Sequence, residues 1–266
     1  MRRRSTRPTA PAREPSRADR PSRQPTAIAI SRCRACESSL AMTINPTDGC
    51  ADTTRRQILR AASYQFARRA YHDVCLDDIL TEAELTKGAM YFHFRSKHAL
   101  AAAIIEGQTA AGTVAMEELL SRNLSGLETL IDFSYLIAAW DVQTDGARAG
   151  LNLLESAGRS EGMRGRLLDY WIQAVAGVVQ KAIAEGDIDK RFTPHDVARL
   201  IVSLHMGLRQ ASNLDEPERF LLDLEKSWSL VLSGILQPER IDYFSQFVRQ
   251  RTALAIKTVS AGGDWD

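Results

Sequence analysis

Thr86-Lys-Gly-Ala-Met-Tyr-Phe-His-Phe-Arg-Ser-Lys-His-Ala-Leu100 is the stretch on which the reading of this 266-residue chain turns. Thr86 and Lys87 stand at the start of a short helix, where base edges of DNA are met. Gly88 and Ala89 are small and allow close approach. Tyr91 and His93 end in polar groups that reach phosphate oxygens. Met90, Phe92 and Phe94 are expected to point the other way and anchor the helix. Ser96 is a natural cap for a further helix. Lys97, in that helix's first turn, sits where the amide ends also favour a phosphate. His98 reads as an exposed polar residue.

Working upstream, Leu76 to Ala83 forms another short helix, acidic outside (Asp77, Asp78, Glu82) and apolar inside (Leu76, Ile79, Leu80). Two short helices joined by a tight turn make a helix-turn-helix, whose second helix enters the major groove. Before them, Thr53 or Thr54 can cap a helix beginning near Arg55. Ile58, Ala62 and Phe66 recur every four residues and give it one apolar face. Its other face carries Arg55, Arg56, Arg60, Arg68 and Arg69, with no acid between residues 53 and 72. Such a face reads as phosphate-facing rather than merely solvated.

Arg56-Gln-Ile-Leu-Arg-Ala-Ala62, Phe66 and the quoted stretch resemble the DNA-binding domain of the TetR family of transcriptional repressors. Within that family, Leu76-Asp-Asp-Ile-Leu80, Thr86-Lys-Gly-Ala89, Tyr91-Phe-His-Phe94 and Ala103-Ile-Ile-Glu106 are most similar to the γ-butyrolactone receptors of streptomycetes. The resemblance implies an all-α fold. A three-helix helix-turn-helix domain spans 52–98, and a helical ligand-binding and dimerisation bundle spans 99–259. It implies DNA contacts from Thr53, Arg55, Thr86, Lys87, Gly88, Ala89, Tyr91, His93 and Lys97. It also implies a cytoplasmic, nucleoid-associated homodimer on a palindromic operator. Two positions depart from the family. Glu84 and Ala70 stand where glycine is usual, and a non-glycine residue at positive φ costs about 1 kcal/mol.

Composition frames this domain. The chain carries a formal net charge of +1, but residues 1–41 hold ten arginines, no lysine and three acids. That segment carries +7 and leaves −6 for the rest, so the chain is no general polyanion binder. Its Pro8, Pro11, Pro15, Pro21 and Pro25 forbid a stable helix, and residues 1–51 read as a disordered extension. Either it is a basic arm that adds phosphate attraction, or Met42 is the true start. Residues 260–266 read as a disordered tail. No segment offers eighteen uncharged apolar residues, so no membrane span is expected.

From Gly107 onward only helical periods are found, at 97–122, 127–141, 145–156, 163–185, 194–213, 217–236 and 239–258. The helices at 194–213 and 217–236 carry broad apolar faces, among them Leu204, Leu208, Trp228 and Leu232. The resemblance implies that these build the homodimer interface as well as the core. It also matches Trp171 to a pocket tryptophan of the γ-butyrolactone receptors. Trp140, Phe133, Val175 and Val178 are candidates for the rest of an apolar lining.

Other functions find less support. There is no G-x-S-x-G, H-E-x-x-H, Walker or G-x-G-x-x-G motif, so an enzyme is not expected, nor a cofactor. Cys33-Arg-Ala-Cys36 is a lone C-x-x-C without further zinc ligands, so no metal is expected. Cys75 reads as a small core residue, and His205 as a satisfied core histidine. Besides a lactone signal, the ligand readings are a drug-like hydrophobe controlling an efflux or antibiotic gene, and a bundle whose DNA reader has decayed.

Overall fold

The computed structural model describes residues 49–159 and 162–261. Among these lie ten α-helices: α1 (Gly49–Arg68), α2 (Leu76–Ala83), α3 (Lys87–His93), α4 (Lys97–Leu120), α5 (Gly126–Gln143), α6 (Asp145–Ser156), α7 (Met163–Ala184), α8 (Pro194–Ala211), α9 (Pro217–Ile235) and α10 (Ile241–Ser260). No strand occurs among the described residues, and one antiparallel bridge joins Ile188 to Leu236. The expectations for residues 1–48 and 262–266, including the choice of Met42 and the pair Cys33 and Cys36, lie outside the described residues.

The helix starts follow from their caps. Ser96 Oγ accepts from Ala99 N (3.0 Å), Thr144 Oγ1 from Ala147 N (3.3 Å) and Thr193 Oγ1 from Asp196 N (3.2 Å). Ser125 and Glu128 cap one another reciprocally, at 3.2 and 2.7 Å. Each bond satisfies a first-turn donor that has no partner inside its helix. The start of α1 differs most from expectation, because the helix already runs at Gly49 and Thr53 and Thr54 lie inside it, while α10 starts at Ile241 in place of 239.

The core divides between two bodies. Ile58, Phe66, Ile79, Met90 and Phe94 close the three-helix N-terminal domain, and their cluster continues into Leu100, Ile104, Leu153 and Leu154. A second cluster joins α5, α7, α8, α9 and α10 around Leu127, Tyr135, Val179, Trp228 and Phe244. Gly126 permits the close crossing of α5 over α7, because a Cβ there would lie 2.5 Å from Ala182 N. Helix α4 is long and apolar enough to cross a membrane by length and composition. Its buried residues, from Leu100 to Leu119, pack instead against both bodies, as a core helix does.

Candidate nucleic-acid interface and regulatory core

Helix α2 ends in a left-handed residue. Glu84 has φ 52° and ψ 39°, and its N–H closes on Leu80 O and Thr81 O. This position therefore does require positive φ. Ala70 does not: at φ −62° and ψ 148° it is ordinary extended backbone. The turn survives with glutamate, and α3 begins two residues after it, beyond Leu85 and Thr86. Thr86 Oγ1 caps that helix by accepting from Ala89 N at 3.3 Å.

The outward face of α3 presents Lys87, Gly88 and Tyr91 to solvent, with Ala89 and His93 half-buried beside them. Met90 and Phe94, four residues apart, share the inner face and are buried. Phe92 corrects the expectation, because it is 79% exposed. Residue 92 lies two steps from 90 and so on the opposite side of the helix. Thr53 is exposed on α1, and the Arg55 guanidinium lies over the Phe94 ring, 5.4 Å from its centroid.

The arginine face of α1 is less free than its local sequence suggests. Arg56 pairs with Asp52 (3.7 Å), Arg68 with Asp145 of α6 (2.8 Å) and Arg69 with Asp78 of α2 (2.7 Å). Asp78 and Asp145 reach it from other helices, and Asp52 from the preceding turn of α1. Asp78 also accepts from Cys75 N at 3.0 Å, which with the other bonds to Cys75 and Arg69 holds its carboxyl below the usual range. Cys75 is exposed at this helix start, not a core residue.

Lys97 is committed to the turn between α1 and α2. Its Nζ donates to Tyr71 O (2.8 Å) and Val74 O (2.9 Å) and lies over the Tyr71 ring. An ammonium has three donors, so one remains for a phosphate. His98, next to it, is half-buried.

Residues 58–104 match the family model described as "Bacterial regulatory proteins, tetR family". Residues 58–104 are a TetR-family domain. The chain is 32% identical over 192 residues to the A-factor receptor protein of Streptomyces griseus, covering 70% of this chain and 64% of that protein. A crystal structure of a γ-butyrolactone receptor (ArpA-like protein) superposes with a TM-score of 0.63 at 26% identity, over 76% of this chain and 97% of that one. CprB from Streptomyces coelicolor, solved in complex with its biological operator sequence, gives a TM-score of 0.65 at 27% identity. That alignment covers 76% of this chain and 98% of CprB.

The expected ligand residues lie on two neighbouring helices, α5 and α7, and pack into three apolar clusters. Trp171, half-buried, packs with Leu167, Met163 and Met206 against the cluster that contains Phe66 and Ile58. Trp140 belongs to a small cluster with Ala111, Ala115, Leu119 and Leu136. Val175 and Val178 are buried in the main bundle core, and Phe133 touches both that core and the Trp140 cluster. A solvent-open groove of about 590 Å³ lies elsewhere, along Glu216, Arg219, Leu222 and Lys226 to Ser260, and includes none of the five.

The expected dimer residues also separate. Trp228 and Leu232 are 1% and 0% exposed, so they belong to the chain's own core and are withdrawn from the interface. An apolar stripe with the right period could face either way, and these two turn into the bundle core. Leu204 and Leu208 are half-buried on α8. The exposed apolar groups of the pair are Leu200, which belongs to the apolar face expected at 194–213, and Leu222 and Leu230, which sequence periodicity did not single out.

A buried polar group underlies α8. His205 Nε2 lies 3.1 Å from Asp141 Oδ2, and Arg209 Nε lies 3.3 Å from Asp141 Oδ1. Arg148 of α6 donates to Asp141 O (2.9 Å) and to Leu214 O (3.1 Å). Each charge thus has a partner, as a buried charge requires.

Proposed function

We propose that the chain is a ligand-responsive repressor, which holds an inverted-repeat operator as a homodimer and is released by a small hydrophobic ligand, a γ-butyrolactone signal. It works on the nucleoid in the cytoplasm. Lys87, Thr86 and Gly88 read base edges, while Tyr91, His93, Arg55, Thr53 and the remaining Lys97 donor hold phosphates. The outward faces of α8 and α9 supply the dimer contact. There Leu200, Leu222 and Leu230 are exposed beside the small Ser203, Gly207, Ser229, Ser233 and Gly234, which admit close helix approach.

The observation that carries the reading is the position of Trp171. It packs against the same cluster as Phe66 and Ile58 of the reading domain. A ligand that wedges beside Trp171 therefore disturbs a core shared by both bodies. Tyr170, its neighbour, also joins its hydroxyl to Thr113 of α4 at 3.0 Å, so a shift of α7 bears on α4. The ligand must bind the released state more tightly, or no DNA is released.

Fluorescence anisotropy of the full chain on a labelled duplex from its own upstream region tests this. Tight, salt-sensitive binding that collapses on adding a synthetic γ-butyrolactone is the expected result. Trp171→Ala should keep the duplex and lose the response. Release of the Trp171→Ala variant at the wild-type lactone concentration would overturn the pocket assignment. Tight binding that ignores the lactone would overturn the ligand class.

A further inference from the structure

The last carbonyls of an α-helix have no partner inside the helix and need one from elsewhere. At the end of α1 that partner comes from the other body. Asn152 of α6 donates its side-chain amide to Phe66 O (3.2 Å) and Ala67 O (3.4 Å). An asparagine amide can turn either way, and here its orientation is set from behind. Buried Arg209 of α8 donates from Nη2 to Asn152 Oδ1 (3.2 Å) and to Arg148 O (3.0 Å). With its oxygen engaged by a donor, Asn152 must turn its N–H groups toward α1. Arg209 is oriented in turn by Asp141 of α5, which also faces His205. The hydrogen-bond chain runs α5 to α8 to α6 to α1. Asp141 follows Trp140 directly in sequence.

We propose that Asn152, positioned by Arg209 and Asp141, is the polar link through which a change in the regulatory bundle reaches the reading domain. Arg209 touches no atom of α1 in this chain of bonds, yet it decides which way the cap on α1 points. Displacing α5 or α8 draws Arg209 from Asn152, frees the amide to rotate, and loosens the end of α1. The link stands beside the apolar contact of Trp171 with the shared cluster and is distinct from it. The Arg68 pair with Asp145 spans the same junction but takes no part in the chain.

Two variants of the full-length protein separate the link from plain stability. Asn152→Asp keeps the side-chain shape and its bond to Arg209 but has no N–H to give α1. Arg209→Lys keeps a positive charge beside Asp141 but lacks the forked nitrogens that reach Asn152. Hydrogen exchange is read at the amides of Ala67, Arg68 and Arg69. Each variant should speed exchange there roughly two- to tenfold, the worth of one net hydrogen bond. The double variant should be no faster than the faster single one, because both break the same link. Amides of α9 should keep wild-type exchange. Wild-type exchange at the end of α1 in Arg209→Lys, or effects that multiply in the double variant, would overturn the link.

A second arm rests on the repressor reading. The lactone-induced rise in operator Kd should shrink in both variants while lactone affinity, followed by tryptophan fluorescence, stays unchanged. A rise of wild-type size in both would overturn the link's part in release. If the wild-type chain ignores the lactone, it is the ligand reading that fails, and the exchange result still decides the link.

Discussion

Lys87 Nζ lies 2.9 Å from Asp77 Oδ1, so the first cation of the reading helix is paired with an acid on the helix before it. The hydrogen bond to Asp77 and its charge raise the Lys87 pKa. Both side chains are about two-thirds exposed, so the pair adds little to folding. Its effect falls on DNA. Lys87 must leave Asp77 to reach a base edge, and the carboxylate then faces the polyanion. Asp77→Asn should raise operator affinity roughly two- to fivefold, within the small range open to an exposed pair. Lys87→Ala should lower it and relax base preference. The double variant should lie close to Lys87→Ala, above it only by the repulsion that the Asp77 carboxylate no longer exerts on the polyanion. Anisotropy titrations at one fixed salt concentration measure all three, and an unchanged affinity for Asp77→Asn would remove the competition from the account.

Glu84 sits at φ 52° in the turn between α2 and α3. Glycine avoids the Cβ clash at such a position but adds freedom to the unfolded chain. The net gain for Glu84→Gly should be about 0.5–1 kcal/mol, or roughly 1–4 °C in Tm for a chain of this size. Ala70→Gly is the control. At φ −62° it relieves nothing and should lower Tm. A thermal unfolding series in which both variants move the same way would count against the strain.

These cases show what the sequence discloses and what it withholds. Helix positions were legible because apolar periodicity and caps such as Ser96 are local signals, and local geometry decides caps. The reading helix was legible for the same reason, apart from Phe92, which lies on the outer face of α3. Tertiary pairing was not legible. Nothing near Arg68 announces Asp145, 77 residues away, which takes that arginine from the basic face. Nor does the apolar stripe of α9 say which neighbour will cover it. Trp228 and Leu232 went inside, and Leu230, 76% exposed, was left outside. The ligand candidates share apolar character, but apolar residues of two helices can pack into three clusters as readily as one.

Gly126 is the tightest steric constraint among the described glycines. An added Cβ would meet Ala182 N at 2.5 Å, Val178 O at 2.8 Å and Ala182 Cα at 2.9 Å, all of them backbone atoms that cannot rotate away. Gly126→Ala must push α5 off α7 and should cost about 1–3 kcal/mol, as over-packing of a tight core does. Urea unfolding should show the midpoint falling with an unchanged slope. Gly177→Ala on α7, where nothing lies within 4 Å of an added Cβ, should be neutral or stabilising. Equal midpoints for the two variants would contradict the close crossing.

Asp132 and Arg251 form a buried pair between α5 and α10, with Arg251 Nε 2.5 Å from Asp132 Oδ1. Burial pushes the Asp132 pKa up to about 6, and the Arg251 charge only partly opposes it. An unfolded aspartate titrates near 3.9. The folded value is the higher one, so folding is favoured where the carboxyl is protonated. That contribution is complete below about pH 4 and is lost as pH rises through 6. A shift of this size corresponds to about 2–3 kcal/mol between the two ends of the window. Asp132→Asn removes the titration and resembles the protonated pair, so the variant should match wild type near pH 4 and be the more stable of the two at pH 7. The informative quantity is the slope. The stability of wild type minus that of Asp132→Asn should fall by about 2–3 kcal/mol between pH 4 and pH 7, because only the wild type loses the contribution. Denaturant melts at half-unit pH steps measure this difference directly. A difference that rises over the same window would mean that Arg251 outweighs burial and holds Asp132 ionised in the fold.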